Sequence, residues 1–164
     1  MITRLLCAGL LTIFATGAAS APVPLAIFDF ELEDFSAAAA GTDSADAAHL
    51  AKVNETVRQL FAQSGRYELI DVSSVDAPAV RDHTLRDCNG CDADIALKLG
   101  AEQSLIGVVS RISRTEYVVK FHLRDARTGA VIVSGDSGLR MGADYSWSRG
   151  AARLLEDRVL ENQP

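Results

Sequence analysis

The fold of this 164-residue chain is decided by the stretch 117–125, which reads YVVKFHLRD. Apolar residues occupy its odd-numbered positions as far as 123, and polar residues occupy three of its four even-numbered positions up to 124. This two-residue period is typical of an antiparallel strand with one buried face and one wet face. The five residues DARTG at 125–129 begin with the last residue of this stretch. They predict a hairpin turn that leads to a further strand at 130–135.

The sequence before this strand predicts a buried strand and a long helix. An almost wholly apolar run at 25–30 indicates a first strand that is covered on both faces. After a loop, Asp43 or Ser44 can cap a helix that Gly65 ends. Its apolar residues recur at helical spacing and form one stripe: Leu50, Val53, Val57, Leu60 and Phe61.

The remaining elements complete a single domain. Strands are predicted at 67–72 and 104–113, with a short helix at 93–99 between them that Asp92 caps. A last helix is predicted from about residue 145 to residue 162. The expected fold is α/β (α+β), a single domain of order β-α-β-α-β-β-β-α, in which a mixed sheet with an antiparallel meander is packed by helices.

Residues 1–21 have the pattern of a secretory signal peptide. A positive start ending at Arg4 precedes an apolar run at 5–15 and a group of small residues at 16–21. The apolar run is shorter than the roughly 20 residues that span a bilayer. We expect cleavage near residues 19–21, which leaves a domain of residues 22–164 in the periplasm without a membrane span. The alternative is a retained membrane anchor.

The charge balance limits the partners that the chain can bind. Its formal net charge is −6, and an acidic domain repels the phosphate backbone of nucleic acids. It also gains nothing from anionic lipid headgroups. We therefore expect no nucleic-acid partner.

Cys88 and Cys91 form the most specific chemical motif, a CxxC pair. In an oxidising compartment a structural disulfide is the expected state. Redox activity is an alternative, although Asp87 and Asp92 beside the pair would raise a thiol pKa rather than lower it. A metal site made of His83 and the two cysteines is a further alternative, but zinc prefers four ligands. No cofactor is expected.

Three other segments carry residues of possible chemical importance. The segment 29–34 is rich in acids, and we interpret it as a solvated strand end. Asp29 is an exception: it lies within an apolar run and could be buried and paired with an arginine. The segment 135–138, GDSG, resembles a serine-protease nucleophile loop but is interpreted as a turn. In the segment 146–150, Trp147 and Arg149 could form a docking edge, or Trp147 could belong to the core.

Four short segments carry a resemblance to known proteins: AIFDFE at 26–31, CNGC at 88–91, LGA at 99–101 and SWSRG at 146–150. With them the layout resembles a family of secreted bacterial proteins of unknown function. More distantly it is similar to the N-terminal domain of the Tol-system translocation protein TolB and to the curli-export lipoprotein domain. That resemblance implies a domain that contacts other proteins in envelope assemblies.

The sequence therefore predicts a non-enzymatic periplasmic accessory protein that binds another cell-envelope protein. The alternative is a periplasmic thiol–disulfide or metal-handling protein that uses the CxxC pair. A third possibility is a small-ligand binder with a cleft between the loop 34–44 and the last strands.

Intact mass spectrometry of protein recovered from the periplasm tests the predicted processing. We expect a chain that begins at residue 20, 21 or 22, because cleavage at the small residues removes the signal. The non-reduced chain should be lighter than the reduced one by two hydrogen atoms. A mass that corresponds to all 164 residues would contradict the signal-peptide prediction.

Overall fold

A computed structural model describes residues 21–36 and 44–161. The predicted signal segment, except its last residue, and the loop 37–43 lie outside the described residues. The strands are β1 (Val23–Ile27), β2 (Glu31–Asp34), β3 (Tyr67–Ile70), β4 (Gln103–Ser113), β5 (Glu116–Asp125), β6 (Val131–Asp136) and β7 (Arg140–Met141). The helices are α1 (Ser44–Gln63), α2 (Pro78–Arg81), α3 (Cys91–Lys98) and α4 (Trp147–Leu155). Two 3₁₀ turns, Leu85–Asp87 and Asp144–Ser146, precede α3 and α4, and a π-helical turn, Glu156–Leu160, follows α4.

All seven described strands belong to one mixed sheet of order β3-β1-β4-β5-β6. Strand β1 is parallel to both β3 and β4, whereas β4, β5 and β6 form an antiparallel meander. Strand β2 pairs with β4 farther along than β1 does, and β7 pairs with the start of β5. The predicted fold class, a single α+β domain with a mixed sheet and an antiparallel meander, is confirmed.

Helices cover the two faces of the sheet unequally. Helices α1 and α4 pack on one face and form the larger core, in which Val53, Val57 and Phe61 of the predicted stripe are fully buried. The alternating apolar residues of β5 lie in the same core. The turn Leu85–Asp87 and α3 cover the other face over β1 and β4, where a smaller core is centred on Phe28 and Ile106.

The predicted first strand, 25–30, ends at Ile27 in the structure, and a separate strand, β2, begins beyond it at Glu31. The chain leaves β1 after Ile27, and Phe28 and Phe30 then enter the smaller and the larger core, respectively. The side-chain oxygen of Asn54 accepts a hydrogen bond from the Phe30 backbone N–H at 2.8 Å. This crossing separates the pairing of β1 with β4 from that of β2 with β4.

The predicted cap of the short helix was wrong. Helix α3 begins at Cys91, so Asp92 lies inside its first turn. The residue before the helix is Gly90, whose φ of 109° is one that glycine adopts readily. Asp92 is fully buried, where it accepts a hydrogen bond from Ser104 Oγ at 2.6 Å and faces Arg124 Nε at 3.5 Å. Burial of the side chain against β4 and β5 explains its position.

The last helix begins later than residue 145. Tyr145 lies exposed in the 3₁₀ turn, and α4 starts at Trp147. Residue 162 lies outside the described residues. The inward side chains of the helix are all buried: Trp147, Ala151, Leu154, Leu155 and Val159.

Substituting Gly107 with alanine tests the chain crossing. A methyl group at this position in β4 would overlap the ring of Phe30, so Gly107→Ala should lower the free energy of unfolding in urea by about 1–3 kcal/mol. Gly135→Ala in β6 is the matched control, because its nearest neighbour, Phe121, would lie 3.2 Å from the new carbon. Equal losses for both variants would contradict the role given to Gly107.

Candidate functional site

The buried carboxylate of Glu31 holds the chain segment that carries the predicted cysteines. Glu31 is 3% exposed, and its two oxygens accept hydrogen bonds from the Leu85 backbone N–H at 2.7 Å and from Arg86 Nη1 at 2.6 Å. In the sequence, the acid that could be buried was Asp29, because it lies within an apolar run. Asp29 does pair with an arginine, Arg58, at 2.6 Å, but its side chain is 51% exposed. The turn between β1 and β2 directs Glu31 inward, which periodicity did not reveal.

A disulfide joins Cys88 to Cys91, with the two Cα atoms 5.6 Å apart. It connects the turn Leu85–Asp87 to the first residue of α3, and both cysteines pack against the smaller core. In the part of the chain that the structure describes, no three His, Cys, Asp or Glu side chains are grouped so as to hold a metal ion. His83 therefore does not join the cysteines in a three-ligand group.

Trp147 and Arg149 do not form one docking edge. Trp147 is 1% exposed and belongs to the larger core. Of the two interpretations of Trp147, a docking residue or a core residue, the structure therefore supports the second. The guanidinium of Arg111 lies over the indole ring, 5.2 Å from its centroid, and His49 approaches the ring edge-on. Arg149 is exposed on α4 two residues later.

A cleft of about 520 Å³ opens where β1 and β3 end. Its floor includes the buried Phe28 and Leu85, and its rim includes Asp29, Arg58 and Asp71. Parallel strands in α/β proteins place ligand sites at their carboxyl ends. A small-ligand cleft was expected elsewhere, beside the loop 34–44, most of which lies outside the described residues. Two acids just beyond the ends of neighbouring strands, Asp29 and Asp71, are the sequence signal for this cleft.

Hydrogen bonds fix the charge of the cleft rim. Asp71 accepts hydrogen bonds from the Ser73 backbone N–H at 2.9 Å and from Ser73 Oγ at 3.0 Å. These bonds, and to a smaller extent the attraction of Arg58, hold the pKa of Asp71 below its usual value. Arg58 therefore pairs with the carboxylate of Asp29 and also attracts that of Asp71.

A second notable surface lies around the β4–β5 hairpin, and we call it the hairpin end. Five large apolar side chains there are 40–75% exposed. They are Phe35, Ile112, Leu139, Met141 and Tyr145. Three contacts bring four chain segments to this place: the Phe35 N–H donates to the Arg111 carbonyl, Met141 pairs with Glu116, and Tyr117 Oη donates to the carbonyl of Ser146.

Arg111 is a mostly buried residue of β4 beside the hairpin end. Its side chain pairs with Asp46 and lies 3.6 Å from an oxygen of Asp34. Burial opposes its charge, yet the hydrogen bond to Asp46 and the attraction of nearby carboxylates raise its pKa. The guanidinium thus ties β2, α1 and β4 together beside Trp147.

His122 lies on the uncovered face of β5 near the buried Asp92. Burial, followed by repulsion from Arg124, lowers the pKa of His122, although Asp92 acts in the opposite direction. The imidazole is therefore uncharged at neutral pH. His49, His83 and His122 lie on α1, at the cleft and on β5, so no two of them share a site.

The sequence matches a protein family described as "Protein of unknown function (DUF2380)" over residues 23–159. The chain belongs to this family. The expected resemblance to a family of unknown function is therefore confirmed. No curated protein matches the sequence.

Solved structures share the fold at low sequence identity. The LpoB C-terminal domain from Salmonella enterica is 20% identical, with a TM-score of 0.51, over 76% of this chain and 86% of that one. Escherichia coli LpoB is 19% identical, with a TM-score of 0.50, over 77% of this chain and 58% of that one. TolB from Acinetobacter baumannii is 14% identical, with a TM-score of 0.46, over 79% of this chain and 25% of that one. These likenesses show the fold alone. Within residues 21–36 and 44–161, no helix has the length and apolarity to cross a bilayer.

The buried acid should matter more to stability than the exposed one. We expect Glu31→Gln to lower the free energy of unfolding in urea by about 2 kcal/mol, because an amide cannot neutralise Arg86 while accepting both hydrogen bonds. Asp29→Asn, which also breaks an ion pair, should change it by less than about 0.5 kcal/mol, since that pair is exposed. A loss at Asp29 as large as at Glu31 would refute this assignment.

Replacing both cysteines with serine separates a structural disulfide from a chemical one. The Cys88→Ser, Cys91→Ser variant should lose about 2 kcal/mol of stability, since the bond closes a very short loop. If the pair is structural, the variant still supports function below its lowered Tm. A functional loss with unchanged thermal unfolding would favour redox or metal chemistry.

Proposed function

We propose that this chain is a non-enzymatic accessory protein of the periplasm that binds another cell-envelope protein. The observation that carries the proposal is the hairpin end: five of the eight exposed large apolar side chains among the described residues come from chain segments that meet at the β4–β5 hairpin. Exposed apolar groups gathered in one place are typical of protein-interaction sites, whereas isolated ones are ordinary.

Charge at the hairpin end indicates the chemistry of the partner. Two arginines are exposed there. Arg114 lies in the turn of the hairpin, and Arg140 lies in β7, where it pairs with Tyr117 of β5. They stand out against a chain whose net charge is −6. A partner surface with an apolar centre and carboxylates at its rim would complement this arrangement, because charge complementarity guides encounter and register.

Two further points support the proposal. The signal pattern of residues 1–21 favours export to the periplasm. The three histidines lie on separate elements, and Ser137 of the GDSG segment uses its hydroxyl in the turn: it accepts from the Val119 N–H at 3.0 Å and donates to the carbonyl of Gly138 at 2.8 Å. These contacts support the interpretation of that segment as a turn rather than as a catalytic loop.

The CxxC pair keeps a second candidate function open, a periplasmic thiol–disulfide or metal-handling role. The favouring observation is that α3 begins at Cys91 itself, because a helix N-terminus lowers the pKa of a nearby thiol. The double serine variant tests this role.

Site-specific photo-crosslinking in the exporting cell tests the docking proposal. A photoreactive phenylalanine analogue at position 141 or 145 should crosslink to one and the same envelope protein. The same analogue at Leu97, which is 45% exposed on α3, is the matched control and should give no such adduct. Crosslinking at Leu97 to the same extent, or none at the hairpin end, would count against the proposal.

Charge introduction provides an independent measurement. The double variant Leu139→Asp, Met141→Asp should abolish the crosslinked complex formed from position 145. Its Tm should change little, since both side chains are exposed and surface substitutions are usually within about 0.5 kcal/mol. Retention of the complex by a folded double variant would show that the partner binds elsewhere.

A further inference from the structure

The cleft at the ends of β1 and β3 is independent of the hairpin end, because the two surfaces share no residue. Its volume of about 520 Å³ lies within the range of sites for small molecules, roughly 300–1,000 Å³. Half-buried Ile70, Val75 and Val80 form apolar walls above the floor of Phe28 and Leu85.

The wall opposite the sheet is held in a defined place. The segment from Asp71 to Asp87 is fixed at its far end by Glu31, which accepts from Leu85 and Arg86. Immediately beyond, the disulfide ties Cys88 to α3. The cleft is therefore formed by packed and bonded elements on both sides, which reduces the entropy lost when a ligand binds.

The charges at the cleft favour a cation. Asp29, Glu31 and Asp71 line the cleft with one guanidinium, that of Arg58. Arg86, which pairs with Glu31, is shared with Asp87. Negative charge is therefore in excess. An anion that approached Arg58 would also approach the carboxylate of Asp29, 2.6 Å from Arg58 Nη2, and the ionised Asp71. A cation can instead add to the array of alternating charges without breaking any of these contacts.

We propose that this cleft binds a small molecule that carries a protonated amine on an apolar body. The apolar part lies on Phe28 and Leu85 between the walls, and the amine lies at the rim beside the carboxylate of Asp71. Asp71 is suited to this role because its two bonds from Ser73 fix its orientation while its side chain stays at the surface.

Titration of the purified protein with two matched amphiphiles tests the proposal. Octylamine, which is protonated at neutral pH, and octanoate have the same apolar chain and opposite charges. Isothermal titration calorimetry should show one saturable site for octylamine, with octanoate at least roughly fivefold weaker. Equal affinities would overturn the preference for a cation, and the absence of saturable octylamine binding would overturn the site.

Two pairs of variants locate the binding. Val80→Trp should abolish octylamine binding by filling the cleft, whereas Val131→Trp on the exposed start of β6 should leave it unchanged. Asp71→Asn should weaken binding about fivefold. Its control is Asp136→Asn, since Asp136 ends strand β6 and likewise accepts a hydrogen bond from the backbone N–H two residues on. Octylamine binding that survives Val80→Trp in a folded protein, or that falls equally in Asp136→Asn, would overturn the assignment to this cleft.

Discussion

The structure depends on the crossing of the chain between Ile27 and Glu31. There Phe28 enters the smaller core and Phe30 the larger one, so a single short segment is clamped from both faces of the sheet. Phe30 occupies the space that a side chain at Gly107 would fill, which lets the crossing lie directly on β4. Burial of two phenylalanine rings contributes roughly 1.5–3 kcal/mol each, enough to fix the local path of the chain.

This crossing positions both surfaces. After it, Glu31 is buried where it can accept from Leu85 and Arg86, and this contact holds the far wall of the cleft. Strand β2 then continues along β4 to Asp34, beside Arg111 and hence beside the hairpin end. Cleft and hairpin end are thus consequences of one change of direction, although they have different chemistry: one is acidic and concave, the other apolar and bordered by arginines.

Residues with strong periodicity were predicted well. The apolar face of β5, the stripe of α1 and the inward residues of α4 all lie in the core, because burial on one face imposes a period that the sequence records. Predictions that rested on the chemistry of single residues were wrong or left two alternatives open. Aspartate is a residue type favoured at helix N-caps. Asp92 instead lies inside the first turn, buried against Ser104 and Arg124. Trp147 had two interpretations, an interface anchor or a core residue, and α1, β5 and Arg111 enclose it in the core. In both cases the deciding neighbours are distant in sequence.

The sequence by itself determined the element types, their order and the alternating burial of β5, because these follow from contacts and periodicities within short segments. It also determined which two cysteines stand close enough to pair. Only the tertiary structure decided that the first strand ends at Ile27, that Glu31 rather than Asp29 is the buried acid, and that Asp29 and Asp71 line one cleft. The same holds for the hairpin end, whose apolar side chains come from turns and strand ends without any period. Their proximity depends on the register of β4, β5 and β7, which long-range pairing sets and no local pattern contains.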